Sequence, residues 1–286
     1  MEEKHSFVSD GFKLDAVLHR PANSAGKLPA FMVLHGFGGN KDGLGGLASA
    51  HMLEKLGYAA LRFDFRGCGK SEGPRGRTIC LEQVEDVKNA LTWLAQQPGI
   101  DGKRIGVMGH SFGAAVAVYS AGVDPRIAAC ISSGGWGDGA RKFRRQHQSP
   151  EAWKKFIDMM EEGRRRKARG ETMMVSRFEI VPIPEHLRKS LSPGNVMEFP
   201  FDVAESMYTF RANDVVDRIA PRPLMLLHSS KDSVTPTEQS IGLFELAGQP
   251  TDLHLVAGID HFGFEETNPQ LASLVKNWLD KHLPLA

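Results

Sequence analysis

The stretch that decides the fold runs from Arg104 to Ala117 and reads RIGVMGHSFGAAVA. It begins as a short apolar run of strand character and ends as an Ala- and Val-rich run of helical character, with the pattern G-x-S-x-G between them. On so tight a turn the central serine, Ser111, takes a strained backbone conformation that holds its Oγ out at the sheet edge. Gly109 and Gly113 admit the neighbouring backbone, which packs close there. The pattern predicts Ser111 as a nucleophile; the alternative is an ordinary surface serine on a glycine-rich turn.

The residues around this serine also predict where a negatively charged oxygen would be stabilised. The helix after Ser111 points its positive N-terminal end at the serine. A second donor is expected from the loop after the third strand, which reads HGFG at residues 35–38. We assign the two donors to the backbone N–H groups of Phe37 and Phe112. A glycine-rich turn without a catalytic role is the alternative for this loop, and His35 is interpreted as a structural residue that bonds it.

A serine nucleophile needs a base, and the base needs an acid that orients it. Asp232 lies just past the apolar run from Leu224 to His228, and His261 lies just past the last strand run. The carboxyl ends of parallel strands collect at one edge of a sheet, so these distant residues can converge on Ser111. The order serine, aspartate, histidine fits this type of sheet. We therefore predict Asp232 as the acid and His261 as the base.

Two further aspartates compete for the role of the acid. Asp138 follows an earlier strand, within Gly137-Asp138-Gly139, and is the rival to Asp232. Asp260 directly precedes the predicted base and is interpreted as a turn residue. The alternative for Asp232 itself is a solvated loop acid.

Strands alternate with helices along most of the chain. The first two strand runs, joined through Asp10 and Gly11, are typical of an antiparallel hairpin. Strand character is found in residues 5–10, 12–20, 28–34, 58–65, the run before the serine, 127–132, 224–228 and 252–257. Helical spacing or composition is found in residues 44–56, 81–94, the run after the serine, the stretch ending near 248, and 271–282. The chain therefore predicts an α/β fold with a mostly parallel, eight-stranded sheet flanked by helices.

One segment interrupts this alternation of strands and helices. From about Gly137 to Arg218 no strand is convincing, and helix-forming residues are mixed with prolines. The segment begins at the edge of the sheet where Ser111 is expected. We therefore predict that it is a helical cap (lid) inserted after the sixth strand. The predicted organisation is a core of residues 1–136 and 219–286 with a cap of residues 137–218.

The side chains of the predicted cap, together with Trp136 just before it, suggest two uses. Its arginines could attract an acidic substrate, although a solvated helical face is the simpler interpretation. These arginines are Arg144, Arg145, Arg164, Arg165, Arg166 and Arg177. Large apolar residues could line an acyl pocket, and core packing explains them equally well. They are Trp136, Met173, Phe178, Phe199, Phe201, Met207 and Tyr208.

Composition excludes several classes of function. The charges balance, with 35 basic and 34 acidic residues, so no nucleic-acid or membrane partner is expected. The three cysteines, Cys68, Cys80 and Cys130, have no metal-ligand spacing. The chain opens with charged residues rather than a leader, and its longest apolar run, Ala114 to Val123, is too short to span a bilayer. These features favour a cytoplasmic enzyme; they leave its oligomeric state open.

The chain resembles the serine hydrolases of the α/β-hydrolase fold over essentially its whole length apart from the insertion. The resemblance rests on residues 35–38, on the loop DFRGCGKS at residues 64–71, and on Ser111, Asp232 and His261. Within that superfamily it is similar to carboxylesterases, feruloyl-type esterases and the catalytic domains of prolyl oligopeptidase relatives. The resemblance implies cleavage of a small-molecule ester, thioester or amide through an acyl-enzyme, with no metal or organic cofactor.

Two other functions stay open at this stage. One is a peptidase-like or carbon–carbon bond hydrolase that uses the same three residues. The other is a binding protein on this fold, in which the three residues serve a ligand. Neither the elbow around the serine nor the HGFG loop distinguishes among these functions, because all share them.

Overall fold

The computed structural model describes residues 1–22, 26–263 and 268–285. Its centre is an eight-stranded sheet. The strands are β1 (Glu2–Ser9), β2 (Phe12–His19), β3 (Leu28–Leu34), β4 (Ala59–Phe63), β5 (Ile100–His110), β6 (Cys130–Ser133), β9 (Leu224–Ser229) and β10 (Thr251–Val256). They lie in the order β1-β2-β4-β3-β5-β6-β9-β10. The pairs β1–β2 and β2–β4 are antiparallel and all others are parallel.

Helices cover both faces of this sheet. They are α1 (Leu44–Lys55), α2 (Cys80–Ala95), α3 (Phe112–Val123), α9 (Glu238–Leu246) and α10 (Pro269–His282). Strand β3 shows why both faces must be covered, because every residue in it is buried. Its Phe31 and Val33 pack in one hydrophobic cluster with α1 and α10. Its Ala30, Met32 and Leu34 point to the other face and pack with α2 and α3.

These observations confirm the fold class predicted from the sequence. The hairpin turns at Asp10 and Gly11, which have φ of +46° and +87°. Positive φ at both central residues is the requirement of a type I′ turn, which matches the twist of the strands. The boundaries of helices and strands shift from the predicted ones by a few residues, as when the run 58–65 yields only Ala59–Phe63.

Residues 134–223, here called the inserted segment, lie between β6 and β9 and contain most of the remaining secondary structure. The segment holds α4 (Gly139–Gln146), α5 (Pro150–Ala168), β7 (Met174–Ser176), α6 (Arg177–Ile180), α7 (Glu185–Arg188), β8 (Glu198–Pro200), α8 (Phe201–Thr209) and two 3₁₀ turns (Ala212–Asp214 and Val216–Ile219). Strands β7 and β8 pair as an antiparallel ribbon. The expectation that this segment contains no strand was therefore wrong. Three residues per strand are too few to produce a periodic pattern in the sequence.

The inserted segment shares its hydrophobic core with the sheet. Phe143, Phe156, Phe199 and Val203 belong to the same buried cluster as α2 and α3. Near its end, a Cβ added to Gly122 of α3 would lie 2.4 Å from the Val215 carbonyl oxygen, so the backbones touch. A shared core means that the segment does not fold around an apolar centre of its own. The division into a core and a cap stays a prediction.

Close backbone packing fixes the turn between β5 and α3. A Cβ added to Gly109 would lie 2.2 Å from the carbonyl oxygen of Gly113. A Cβ added to Gly113 would lie 2.5 Å from the carbonyl oxygen of Leu34, at the end of β3. Since the obstructing atoms are backbone, no side-chain rotation can relieve these contacts. Gly242 in α9 is different, because nothing lies within 4 Å of its added Cβ.

We expect Gly113→Ala to lower the free energy of unfolding by about 1–3 kcal/mol or more, because the added methyl group forces β3 and α3 apart. The matched substitution Gly242→Ala should raise it by about 0.5–1 kcal/mol, because alanine is the better helix former. Urea-unfolding curves of both variants and the parent protein measure these differences. Equal effects of the two substitutions would contradict the packing argument.

Candidate active site

Ser111 lies at the turn from β5 to α3 and has φ of +56° and ψ of −115°. A non-glycine residue in this region of the backbone map is strained and needs support from its surroundings. Part of that support is a hydrogen bond of 2.8 Å from the Ser111 N–H to the carbonyl oxygen of Ser133, the last residue of β6. The strained elbow predicted for this serine is therefore present.

The structure brings Ser111, His261 and Asp232 together in one chain of hydrogen bonds. The Ser111 hydroxyl lies 2.9 Å from Nε2 of His261. The Nδ1–H of His261 donates to Oδ2 of Asp232 at 2.8 Å. The side chains of His261 and Asp232 are almost fully buried, at 1% and 0% exposed. This arrangement can accept a proton from Ser111 on one side of the imidazole while the carboxylate fixes the other side.

Asp232 is held in its ionised form by its neighbours. Its Oδ1 accepts hydrogen bonds from the backbone N–H groups of Val234 at 2.8 Å and Thr235 at 2.7 Å. Burial raises the pKa of Asp232, but the charge of His261 and hydrogen bonds from His228 and His261 outweigh burial and lower the pKa below its ordinary value. The carboxylate therefore stays charged at neutral pH.

His228 is a neighbour of the site that sequence reasoning missed. It lies in β9, four residues before Asp232, and its Nε2 is 3.3 Å from Oδ2 of that carboxylate. The same Nε2–H donates to the carbonyl oxygen of Thr235 at 3.0 Å, and Nδ1 accepts from the Ser240 hydroxyl at 2.6 Å. His228 thus ties the turn that carries Asp232 to its strand. A histidine at the end of a buried strand was the only signal for it in the sequence.

The two rival aspartates, Asp138 and Asp260, do not take the place of Asp232 in this chain of hydrogen bonds. Asp138 caps α4 by accepting from the N–H of Arg141 at 3.0 Å, and it pairs with Arg211 at 2.7 Å. Asp260 accepts from the N–H and hydroxyl of Ser233 and from the N–H of His261, which is a turn-stabilising role. Neither carboxylate contacts the imidazole of His261 in the described part of the chain.

The loop that carries Phe37 is anchored by two buried polar side chains. The Asp64 carboxylate accepts from the N–H of Lys41 at 2.6 Å and from the N–H of Lys70 at 2.8 Å, which joins the loops after β3 and β4. Nε2 of His35 accepts from the N–H of Phe65 at 3.2 Å. Burial lowers the pKa of His35. A neutral imidazole is required for this acceptor role, and His35 therefore bonds the loop as expected.

Phe37 and Phe112 place their backbone beside the serine. Phe112 is the first residue of α3, so its N–H has no partner within the helix. The ring of Phe37 lies 5.9 Å from that of Phe112 and stacks on Phe199 of the inserted segment at 4.2 Å. The Phe37 carbonyl oxygen accepts a hydrogen bond of 2.6 Å from Arg177. A Cβ added to Gly36 would lie 3.7 Å from Cβ of Ser111, so the residue before Phe37 is close to the serine. The assignment of the two N–H groups as oxyanion donors stays a prediction.

A cavity of about 100 Å³ opens onto Ser111 and His261. Its walls come from the loop after β3, from the serine elbow, from Val234 and Phe262, and from residues of the inserted segment. Those last residues are Arg177, Val181, Ile183, Ser190, Leu191, Ser192 and Asn195. None of the seven large apolar residues predicted to line an acyl pocket, Trp136, Met173, Phe178, Phe199, Phe201, Met207 and Tyr208, is among the wall residues. They pack with one another and with the core instead, as Trp136 does against Phe112 at 5.8 Å.

Arg177 and the run Arg164, Arg165 and Arg166, all within the inserted segment, have different surroundings. Arg164, Arg165 and Arg166 lie on the outside of α5 and pair with Glu162 and Glu205. They form a solvated helical face, as the simpler interpretation of the sequence has it. Arg177 differs from them because it is buried and lines the cavity.

His110 and the cysteines do not compete with the serine. Burial lowers the pKa of His110 to about 3, so its imidazole, 5.0 Å from the ring of His261, is neutral at pH 7. Cys68, Cys80 and Cys130 are buried, and burial raises the pKa of each thiol to about 12. Thiols of such high pKa are poor nucleophiles at neutral pH.

One group of side chains in the described chain has its possible metal-ligand atoms within 4.8 Å of one another: Glu2, His19 and His51. It lies in the first hairpin and α1, away from Ser111. The guanidinium of Arg62 donates to Nε2 of His19 at 2.8 Å, which engages the lone pair that a metal would need. These residues are therefore better described as a hydrogen-bond network than as a metal site.

Residues 10–262 match the X-Pro dipeptidyl-peptidase (S15) family. The chain belongs to this family. It is 28% identical over 265 residues to the polyketide transferase grgF of Penicillium sp, covering 88% of this chain and 86% of that protein. It is 27% identical over 277 residues to the thiohydrolase aneE of Aspergillus aculeatus, covering 89% and 84%.

Solved structures establish the fold independently. The crystal structure of the α/β hydrolase GrgF from Penicillium sp. sh18 matches with a TM-score of 0.82 at 22% identity, over 100% of both chains. Est1E of Butyrivibrio proteoclasticus with bound ferulic acid matches with a TM-score of 0.72 at 19% identity, over 98% of this chain and 100% of that one. The protein is thus an α/β-hydrolase-fold member of a hydrolase family, as the resemblance in its sequence implied. No helix in the described chain has the length and apolar character needed to cross a bilayer.

Proposed function

We propose that the protein is a serine hydrolase that cleaves a small-molecule carboxylic ester through an acyl-enzyme. The observation that carries the proposal is the hydrogen-bond chain from Ser111 through His261 to Asp232, with distances of 2.9 and 2.8 Å. In this role Ser111 is the nucleophile, His261 the base and Asp232 the orienting acid. The relation to a thiohydrolase and the fold shared with an esterase support acyl transfer to water and also favour a thioester as an alternative substrate.

Acylation follows from the positions of these atoms. His261 takes the proton of the Ser111 hydroxyl on Nε2 as Oγ attacks the ester carbonyl. The carbonyl oxygen becomes an oxyanion, and the N–H groups of Phe37 and Phe112 donate to it. As the tetrahedral intermediate collapses, the imidazolium gives its proton to the leaving alcohol. Asp232 stabilises the imidazolium without taking its proton.

Deacylation repeats the same steps with water. His261 is neutral again after the alcohol leaves, and it removes a proton from a water molecule that attacks the acyl carbonyl. The second tetrahedral intermediate releases the acid and returns the proton to Ser111. Every group needed for these steps belongs to the chain itself, and the proposal uses no cofactor.

A peptidase that releases N-terminal X-Pro dipeptides is the second candidate, and the family match favours it. Such a substrate carries an ammonium group, which is recognised best by a carboxylate. No Asp or Glu is found among the described residues that line the cavity, whereas Arg177 is. A cation in the wall repels an ammonium group, and we therefore prefer an ester substrate.

We also propose that the inserted segment acts as a cap over the site. It supplies seven of the residues that line the cavity, including Val181, Ile183 and Leu191. Residues that wall a cavity exclude water and select the shape of the acyl group. Substrate choice would then depend on these residues more than on the sheet.

We expect Ser111→Ala to lower kcat by about 10⁴-fold or more, because the acyl-enzyme cannot form. The measurement is turnover of 4-nitrophenyl butyrate by the parent protein and the variant, with circular dichroism as the control for folding. A burst of 4-nitrophenol from the parent would also exclude a pure binding protein. A folded variant that keeps most of its activity would refute the assignment of the nucleophile.

We expect Asp232→Asn to lower the single-turnover rate by about 10³- to 10⁴-fold, because His261 loses the partner that sets its tautomer. Asp138→Asn is the matched control: asparagine still caps α4, so the rate should stay within a few-fold of the parent. Rapid-quench measurements of both variants give the ranking. The reverse ranking would transfer the role of the acid to Asp138.

We expect Val181→Ala to change the ranking of kcat/KM among 4-nitrophenyl esters of different acyl length by roughly 10- to 100-fold, because this side chain walls the cavity. Val203→Ala is the matched control, since Val203 is buried in the same segment but is not among the wall residues. Val203→Ala should change kcat/KM of all the esters by one common factor. If both variants leave the ranking unchanged, the cap does not select the acyl group.

A further inference from the structure

Arg177 is a buried cation in the wall of the cavity. It is the first residue of α6 and only 4% exposed. Its Nη2 donates to the carbonyl oxygen of Phe37 at 2.6 Å, and its Nη1 donates to the carbonyl oxygen of Val196 at 3.1 Å. Its Nε is buried and has no hydrogen-bond partner in the described chain.

No anionic side chain among residues 1–22, 26–263 and 268–285 neutralises this guanidinium. Within the described residues, no carboxylate oxygen lies within 4.0 Å of it. Of the other buried cationic side chains, Lys41, Arg62 and Arg66 each pair with a carboxylate, and Lys142, which lies outside the cavity, does not. Arg66, for example, pairs with Asp86 at 2.7 Å. Burial lowers the pKa of Arg177 to about 10, which still leaves it charged at neutral pH. A buried charge without a counter-ion is costly, and a ligand that brings an anion removes that cost.

The same wall offers a second polar group without a partner. Oδ1 of Asn195 is buried and makes no hydrogen bond in the described chain. Asn195 and Ser190 line the cavity together with Arg177, but they come from the loop before β8 rather than from α6. Rotation of the terminal amide lets Asn195 present an N–H to the same anion. Two separate parts of the inserted segment therefore contribute wall residues that carry a buried polar atom without a partner in the described chain.

We propose that Arg177 is the receptor for a carboxylate at the far end of the acyl group, so that the substrates are esters of short dicarboxylic acids. This inference rests on the proposed function and names its substrate class. Phe37 connects the two ends of such an acyl group, because its N–H is the proposed oxyanion donor and its carbonyl oxygen binds the guanidinium. The cavity that would receive this acyl group has a volume of about 100 Å³.

The decisive comparison uses substrates that differ in charge alone. These are the monoethyl esters of succinic, glutaric and adipic acids and the ethyl esters of the corresponding ω-amides, which have nearly the same shape. A charge-assisted hydrogen bond to the guanidinium should raise kcat/KM of the acid over the amide by roughly 10- to 100-fold for at least one chain length. A ratio of one or less at all three lengths overturns the proposal.

Variants of the receptor separate substrate recognition from loop support. Arg177→Met should reduce the acid-to-amide ratio to about one, and Arg177→Lys should retain part of it because the charge is kept. Arg222→Met is the matched control, because Arg222 also binds backbone carbonyl oxygens but lies outside the cavity. It should leave the ratio unchanged. If Arg177→Met lowers kcat/KM of the acid and of the amide by one common factor, Arg177 only supports Phe37, and the proposal is wrong.

A binding measurement keeps this inference separate from the proposed function. Calorimetric titration of glutarate into the Ser111→Ala variant needs no turnover. We expect binding that weakens at least tenfold when Arg177→Met is added. Absence of esterase activity with intact, Arg177-dependent glutarate binding would overturn the proposed function alone. Esterase activity on the amides without a preference for the acids, together with no glutarate binding, would overturn this inference alone.

Discussion

The site depends on the close approach of three pieces of backbone around Ser111. The end of β3, the end of β5 and the start of α3 come within contact because Gly109 and Gly113 have no side chains. That packing holds Ser111 at φ of +56°, a conformation that an isolated serine would leave. The packing therefore places the hydroxyl at the sheet edge, beside the N-terminal end of α3. The proposed nucleophile and one proposed oxyanion donor are therefore positioned by one constraint.

A second constraint is electrostatic. Asp232 is buried, so its charge must be stabilised locally, and two backbone N–H groups and two imidazoles do so. Because Oδ1 is already occupied by the turn, only Oδ2 remains to orient His261. The imidazole is thereby fixed with Nδ1 toward the acid and Nε2 toward Ser111. His228 also supports this geometry, because its Nε2–H donates to the carbonyl oxygen of Thr235 in the turn that carries Asp232.

Much of this could be predicted from the sequence because the residues lie beside strong local patterns. Ser111 sits between a strand and a helix, and Asp232 and His261 follow buried strands, so topology alone brings them near one another. Arg177 and Asn195 do not lie beside any such pattern in the sequence. Their positions depend on how a long segment of short helices and a three-residue strand pair folds back on the sheet. Phe199 illustrates the same difficulty, because its ring packs on Phe37 instead of lining the cavity as one interpretation expected.

In the proposed function, the inserted segment links substrate recognition to the chemistry through one residue, Phe37. Phe37 is held on its ring by Phe199 and at its carbonyl oxygen by Arg177, so its N–H keeps a fixed direction. A donor that is already oriented stabilises an oxyanion without reorganisation, which is the main source of its effect. An anion that binds Arg177 acts on the same guanidinium that fixes this peptide group. In the proposed binding mode, recognition of the acyl group and support of the proposed oxyanion donor therefore act through one guanidinium, and a change at Arg177 would affect the rate of bond breaking as well as the choice of substrate.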